Sequence, residues 1–194
     1  MGWHRVGQNG RVISKGRLLV ATPPLDDPNF DRTVVYVVEH HDDGALGLVL
    51  NRPLDEELEE PLERWVEVQS APSVLFNGGP VETNALIALA QTQGDVDDDE
   101  HLAPVTGDIA SADLAVDPAM VRGAIRELRV FRGYSGWGPG QLEGEIEAGA
   151  WLVLDTEPGD LFSAEPANLW RAVLRRQPGR LAWLATAPDD LTTN

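Results

Sequence analysis

The chain has 194 residues, of which 42% are apolar and 6% aromatic, so it is long enough and apolar enough to form one compact core. It contains no cysteine, which excludes disulfide bonds, thiol catalysis and cysteine-ligated metal centres. Its net charge of −17 opposes nucleic-acid binding, since phosphate backbones attract cationic surfaces.

The distribution of turns indicates a single domain. Glycine and proline are spread along the chain, and no repeat or interdomain linker divides it. Residues 1–15 are polar and lack the apolar run of a secretory signal, so we expect a flexible N-terminal segment followed by one domain at residues 16–194. No apolar stretch reaches the ~20 residues that span a bilayer, and we expect a cytoplasmic protein without membrane contact.

The first half of the chain predicts strands and one helix. Asp43 and Gly44 form an Asp-Gly pair between two apolar runs, the first of them β-branched, which is a strong hairpin signal because both residues tolerate positive φ. His40 and His41, beside this turn, are expected to be solvated. The predicted strands cover residues 17–21, 33–40, 45–51, 73–77 and 85–90, and a helix is predicted from Pro61 to residue 69.

The second half alternates strands and helices. Asp117 before Pro118 is typical of a helix start, and an apolar spacing of three and four residues extends that helix to Leu128. Further helices are predicted at residues 139–148 and 166–177, with Gly149 ending the first. Strands are predicted at 101–114 with a turn at 107–108, at 129–134 and at 151–154, and residues 181–185 are predicted to be a final short strand or a packing tail. Strands outnumber helices and occur in hairpins, which favours an α+β fold over a doubly wound sheet.

The sequence lacks residues that common catalytic and cofactor-binding motifs require. Ser135 lies in a glycine-rich run, but Trp137 occupies the glycine position of a nucleophile elbow. The same run lacks the Gly-Lys-Ser/Thr element of a phosphate loop, and the only lysine of the chain is Lys15. Neither a metal site nor a cofactor is therefore predicted. The aromatic residues Phe131, Tyr134, Trp137 and Trp151 are instead expected to pack in the core.

Polar residues at strand ends mark candidate binding loops. Asp27 and Arg32 precede one predicted strand, and Asn51 and Arg52 follow the next. Residues 77–80 leave another strand through Gly78 and Gly79, whose backbone N–H groups are exposed to a potential ligand. An alternative is that the two arginines form ion pairs that hold these turns.

Four separate sequence motifs occur together in this chain. They are RLLVATPPLDDPNFDR at residues 17–32, GALGLVLNRP at 44–53 after His40, GGPV at 78–81, and FRGYSGWGPGQLEGEI at 131–146 with GAW at 149–151. From about residue 16 to the end, and in this order, they resemble the YqgE/AlgH family of bacteria. The resemblance implies a bent, mostly antiparallel sheet that closes toward a pseudo-barrel, flanked by about four short helices. It implies a transcriptional-regulator label but no catalytic residues and no cofactor.

Three hypotheses follow for function. The first is a non-enzymatic regulatory or partner-binding protein, and the second is a small-ligand binder or enzyme with a pocket among the loops at 27–32, 51–53 and 78–81. The third, direct DNA binding, would require the arginines of residues 122–132 or 171–180 on one exposed face, and the net charge opposes it. The candidate binding residues are Asp27, Arg32, Asn51, Arg52, Gly78, Gly79, Tyr134, Trp137 and Gln141.

Overall fold

A computed structural model describes residues 14–23, 27, 29–56, 59–60, 62–94, 96 and 99–186. Within them, nine strands are Leu18–Ala21 (β1), Val34–His41 (β2), Gly44–Val49 (β3), Phe76–Asn77 (β4), Val81–Thr92 (β5), Leu102–Thr106 (β6), Ile109–Ala112 (β7), Ile125–Trp137 (β8) and Trp151–Leu154 (β9). The α-helices are Gln141–Glu147 (α1), Leu169–Arg175 (α2) and Leu181–Leu184 (α3). Three short 3-10 helices lie at Glu63–Val68, Pro118–Met120 and Pro166–Asn168.

The nine strands form one curled sheet in the order β6-β7-β5-β8-β3-β2-β1-β9, with β4 paired to β8. All pairs are antiparallel except β4 with β8. The first part of β8 pairs with β5 and its last part pairs with β3, so this strand joins the two sections of the sheet. The result is the α+β half-barrel that the family resemblance implied.

Three apolar clusters occupy different faces of this sheet. The inner cluster fills the concave side and includes Tyr36, Phe76 and Trp170, the last from α2. A second cluster lies on the outer face of β5–β8 around Trp65. The third lies on the outer face of β1–β3, where α1 covers it with Leu142. Alternating side chains of β2 enter the inner and third clusters, as expected for a strand covered on both faces.

Several sequence predictions are confirmed. The hairpin of β2 and β3 turns at Asp42 and Asp43, and β9 has the predicted bounds. Gly149 follows α1 with φ 80°, in the left-handed region that a helix C-terminus favours. Residues 63–68 are helical as expected, whereas Pro61, the predicted start of that helix, lies outside the described residues.

Two predicted elements are wrong. The helix expected to run to Leu128 is a single turn at Pro118–Met120, and Ile125 already belongs to β8. The apolar residues of this stretch could be buried either in a helix or in a strand. The pairing of Leu128 with Ala90 of β5 therefore decides in favour of the strand. Residues 181–184 form α3 rather than a strand, and the strand predicted at 73–77 is limited to Phe76–Asn77.

Candidate functional site

Strand β8 turns from one sheet section to the other at Gly133. This residue has φ 66°, and a Cβ placed on it would lie 2.6 Å from the carbonyl oxygen of Gly79. Gly78 and Gly79 are equally restricted, since a Cβ on either would overlap the backbone of β8 at Gly133 or Tyr134. The glycine pair therefore lets two main chains approach each other. It is not a free loop of exposed N–H groups.

The loops before β2 and after β3 hold each other. Asn51 is 4% exposed, accepts a hydrogen bond from Val34 N at 2.9 Å and donates one to the Arg32 carbonyl at 2.8 Å. Arg52 donates to the carbonyl of Asp31. Burial lowers the pKa of Arg52, and the negative charge of Asp31 opposes that shift. Asn51 and Arg52 thus fasten the turn that ends in Arg32.

Asp27 shapes the same turn from its other end. Its carboxylate accepts from the backbone N–H of Asn29 at 2.8 Å, and its carbonyl accepts from Phe30 and Asp31. Arg32 has φ 50°, and its guanidinium lies 5.5 Å from the ring centroid of Trp170. Residues 26 and 28 lie outside the described residues, and the hydrogen bonds of Asp27 are local to this turn.

A carboxylate of α1, that of Glu145, joins two tryptophans. Glu145 Oε2 accepts from the indole N–H of Trp137 at 2.9 Å and of Trp151 at 2.8 Å. Its Oε1 accepts from Gln141, whose own side-chain oxygen accepts from Gly138 N. Phe30 packs on both indoles at centroid distances of 6.3 and 5.3 Å. Trp137 and Gln141 therefore belong to one aromatic and polar cluster that ties α1 to the sheet.

His40 differs from its expected solvated position. Its side chain is 6% exposed, Nδ1 accepts from Ser14 N at 3.3 Å, and Nε2 therefore carries the proton that faces Glu143 at 3.3 Å. Among the described residues, no three histidine, aspartate or glutamate side chains form a group that could hold a metal ion. No helix in the described part of the chain is long and apolar enough to cross a bilayer.

A buried arginine was not found from the sequence. Arg129 is 1% exposed, donates to the carbonyls of Leu161, Ala71 and Ser163 at 2.9–3.0 Å, and lies 4.2 Å from the ring centroid of Phe76. Burial lowers its pKa to about 10. Nothing in the surrounding arginine-rich stretch indicates that this side chain is buried, because its three acceptor carbonyls come from distant segments.

On the concave side, five strands each place a half-buried apolar side chain against the inner cluster. We call this set of side chains the open concave face. Its residues are half-buried, pack against the inner cluster and comprise Val38, Ile87, Val105, Ile109 and Tyr134. Tyr134 extends beside Gly136, where a Cβ would lie 3.5 Å from its ring. Of the nine predicted site residues, Tyr134 alone belongs to this surface.

Two depressions also occur in the described part of the chain, and one of them shares Ile109 with the open concave face. One, of about 310 Å³, lies at the end of the β2–β3 hairpin and is lined by Glu39, His41, Asp43, Gly44, Ala45, Leu46 and Trp137. The other, of about 280 Å³, lies where the β6–β7 turn meets residues 156–162. We call the second depression the seam cleft. The seam cleft contains none of the nine predicted residues, whereas Trp137 lines the first depression.

The predicted residues therefore meet, but mainly inside the structure. Phe30 connects the 27–32 turn to Trp137, and Asn77 N donates to the Arg52 carbonyl, which connects the turn after β3 to the glycine pair. The partners that sequence reasoning missed are Glu145 and Arg129. Glu145 stands in a helix with three alternating glutamates, and only the fold distinguishes it from the other two.

The curled, mostly antiparallel half-barrel with its short helices defines an α+β protein. Residues of its four sequence motifs make many of the contacts that hold the sheet together. Residues 18–182 match the model of the AlgH-like family, and the chain belongs to that family. A UPF0301 protein of Streptomyces avermitilis is 48% identical over 184 residues, which cover 92% of this chain and 94% of that protein. A UPF0301 protein of Mycobacterium tuberculosis is 42% identical, covering 94% of this chain and 91% of the relative.

Solved structures agree with this assignment. The crystal structure of a protein from Corynebacterium diphtheriae superposes with a TM-score of 0.85 at 28% identity, covering 91% of this chain and 94% of that one. The solution structure of AlgH from Pseudomonas aeruginosa gives a TM-score of 0.68 at 31% identity, with coverage of 95% and 99%. The overall fold is therefore shared with these two proteins.

Proposed function

We propose that this chain is a non-enzymatic, cytoplasmic partner-binding protein, and that its partner is a cationic, partly apolar segment of another protein. The open concave face carries the proposal. Five strands each contribute a half-buried apolar side chain to it, and apolar surface of this kind favours association with another protein.

Charge around the face supports a cationic partner. The hairpin depression begins at Glu39, the residue after Val38, and contains the exposed carboxylates Glu39 and Asp43, while Glu82 is exposed in the β5 bulge. The chain as a whole has a net charge of −17. A basic segment would be attracted at long range and would place its apolar side chains on the open concave face.

Gly136 supports close approach from outside. It lies inside β8, it is exposed, and a Cβ there would have no contact shorter than 3.5 Å. Glycine in a strand interior is ~0.5–1 kcal/mol less favourable than alanine, so the fold alone gives no reason for it. A partner main chain passing beside Tyr134 and Leu46 would need this space.

Arginine pairing favours a protein partner over DNA. Arg129 is buried, Arg132 pairs with Glu56 at 2.7 Å, and Arg176 binds Asp160 through two hydrogen bonds of 2.7 and 2.6 Å. The bond to Asp160 raises the pKa of Arg176. These side chains do not form one exposed cationic face. The regulator label of the family is then best explained by contact with a protein rather than with a promoter.

Site-specific cross-linking in cells tests the proposal. A photoreactive phenylalanine at His41, which is exposed and lines the hairpin depression, is expected to yield one discrete adduct whose cross-linked segment is rich in lysine or arginine. The same residue at Glu67, on the outer surface, should not yield that adduct.

Alanine substitutions at Gly136 and Gly123 supply the matched control. Gly136→Ala adds a methyl group at ordinary contact distance from Tyr134 and Val81 and should reduce the adduct about tenfold without lowering thermal stability, whereas Gly123→Ala, whose methyl group has no neighbour within 4 Å, should leave it unchanged. The absence of a discrete adduct from His41, an acidic cross-linked segment, or equal losses in both glycine variants would overturn the proposal.

A further inference from the structure

The seam cleft lies where the curl of the sheet brings distant segments together. Its lining comes from β2, the end of β5, the β6–β7 turn, Gly16 and residues 156–162. Its volume of about 280 Å³ is near the lower end for small-molecule sites, which begin at roughly 300 Å³. It adjoins the open concave face at Ile109 but is otherwise separate from it.

The floor of the cleft combines a ring and hydrogen-bonding groups. Tyr36 is 2% exposed and lines the cleft beside Thr106, whose hydroxyl donates to the Val105 carbonyl at 2.8 Å. Thr156 donates to the carbonyl of Gly16 at 2.9 Å, which joins another wall of the cleft to the start of β1. Apolar surface comes from Ile109 and Phe162. A ligand here would touch both polar groups and an aliphatic or aromatic wall.

The ionisable groups that line the cleft are acidic apart from the tyrosine. Asp108 is exposed at the β6–β7 turn, and its Oδ2 accepts from Gln91 Nε2 at 2.7 Å. Glu157 is partly neutralised by Arg176, with Arg176 Nε at 3.3 Å from its carboxylate. Among the described residues, no cation pairs with Asp108, and the lining contains no lysine, arginine or histidine. The Gln91 bond orients this carboxylate and leaves Oδ1 to accept from a ligand.

We propose that the seam cleft binds a small organic cation, an ammonium or guanidinium group on a short apolar body. Asp108 accepts the hydrogen bonds of the cationic group, and the apolar body lies against Ile109 and Phe162. Because the cleft joins the β6–β7 turn to residues 156–162, the bound cation connects two ends of the curled sheet and stabilises the folded protein by mass action.

Titration of the purified chain with putrescine and agmatine tests this site, with 1,4-butanediol as the neutral ligand of similar length. At physiological salt, the two cations are expected to bind and to raise the melting temperature at concentrations up to about 10 mM, whereas the diol should not. Calorimetry supplies the dissociation constants.

Two isosteric variants locate the binding. Asp108→Asn keeps an oxygen for Gln91 but removes the charge, so cation affinity should fall about tenfold or more. Asp43→Asn removes the same charge from the hairpin depression and should leave the affinity unchanged. The proposal is overturned if neither cation binds, if the diol binds equally, or if both variants lose affinity alike. The assay contains no partner protein, so its result is independent of the proposed partner binding.

Discussion

Glu145 is expected to contribute strongly to stability although it is an acidic residue on a short helix. One of its oxygens accepts from both Trp137 and Trp151, and the other accepts from Gln141. Glu145→Ala removes these bonds and leaves two indole N–H groups, on side chains that are 6% and 2% exposed, without an acceptor. Hydrogen bonds to a charged group contribute ~1.5–3 kcal/mol each, but partial exposure of Glu145 reduces this, so we expect a loss of about 3 kcal/mol.

Thermal and urea denaturation followed by tryptophan fluorescence measure this effect. For a chain of this size, a loss of about 3 kcal/mol lowers the melting temperature by roughly 6–12 °C. Glu145→Gln retains an oxygen that can accept from both indoles and should lose less than half as much. Glu147→Ala, on the exposed side of the same helix, controls for helix propensity and charge. A Glu145→Ala variant as stable as Glu147→Ala would refute the reasoning.

Two further predictions concern the backbone and pH. Gly133→Ala should destabilise the fold by about 2 kcal/mol or more, since it combines φ 66° with an overlap at the Gly79 carbonyl, whereas Gly123→Ala should be neutral in urea unfolding; equal stabilities would contradict the steric argument. Burial raises the pKa of Tyr36 to about 12, so the unfolded chain ionises first and stability falls as pH rises above about 10. Between pH 9 and 11, wild type should lose about 1.4 kcal/mol relative to Tyr36→Phe, and parallel pH profiles would contradict it.

Local chemistry was sufficient for several elements. The β-branched run of β2, the Asp-Gly hairpin and the positive φ of Gly149 depend on neighbouring residues, and the sequence predicted each one. The stretch from Val121 to Leu128 was mispredicted as helix. Its apolar spacing suits either element, and the decision comes from pairing with β5, which lies more than thirty residues away in the chain.

The candidate site divides in the same way. The sequence indicated that polar residues at strand ends should converge, and Asn51, Arg52 and the glycine pair do meet. It did not indicate that Asn51 would be occupied by backbone groups or that the glycines would be covered by β8. Those roles depend on which main chains approach each other after the sheet curls.

Composition and local spacing by themselves determined the acidic surface, the α+β class, the first hairpin and the four motifs of the family. The tertiary structure alone decided that Glu145 unites two tryptophans, that Arg129 is buried among carbonyls, and that Asp108 faces a cleft. The physical reason is that strand and turn preferences act between neighbours, whereas burial, hydrogen-bond partners and concave surfaces arise between segments that only the curled sheet brings together.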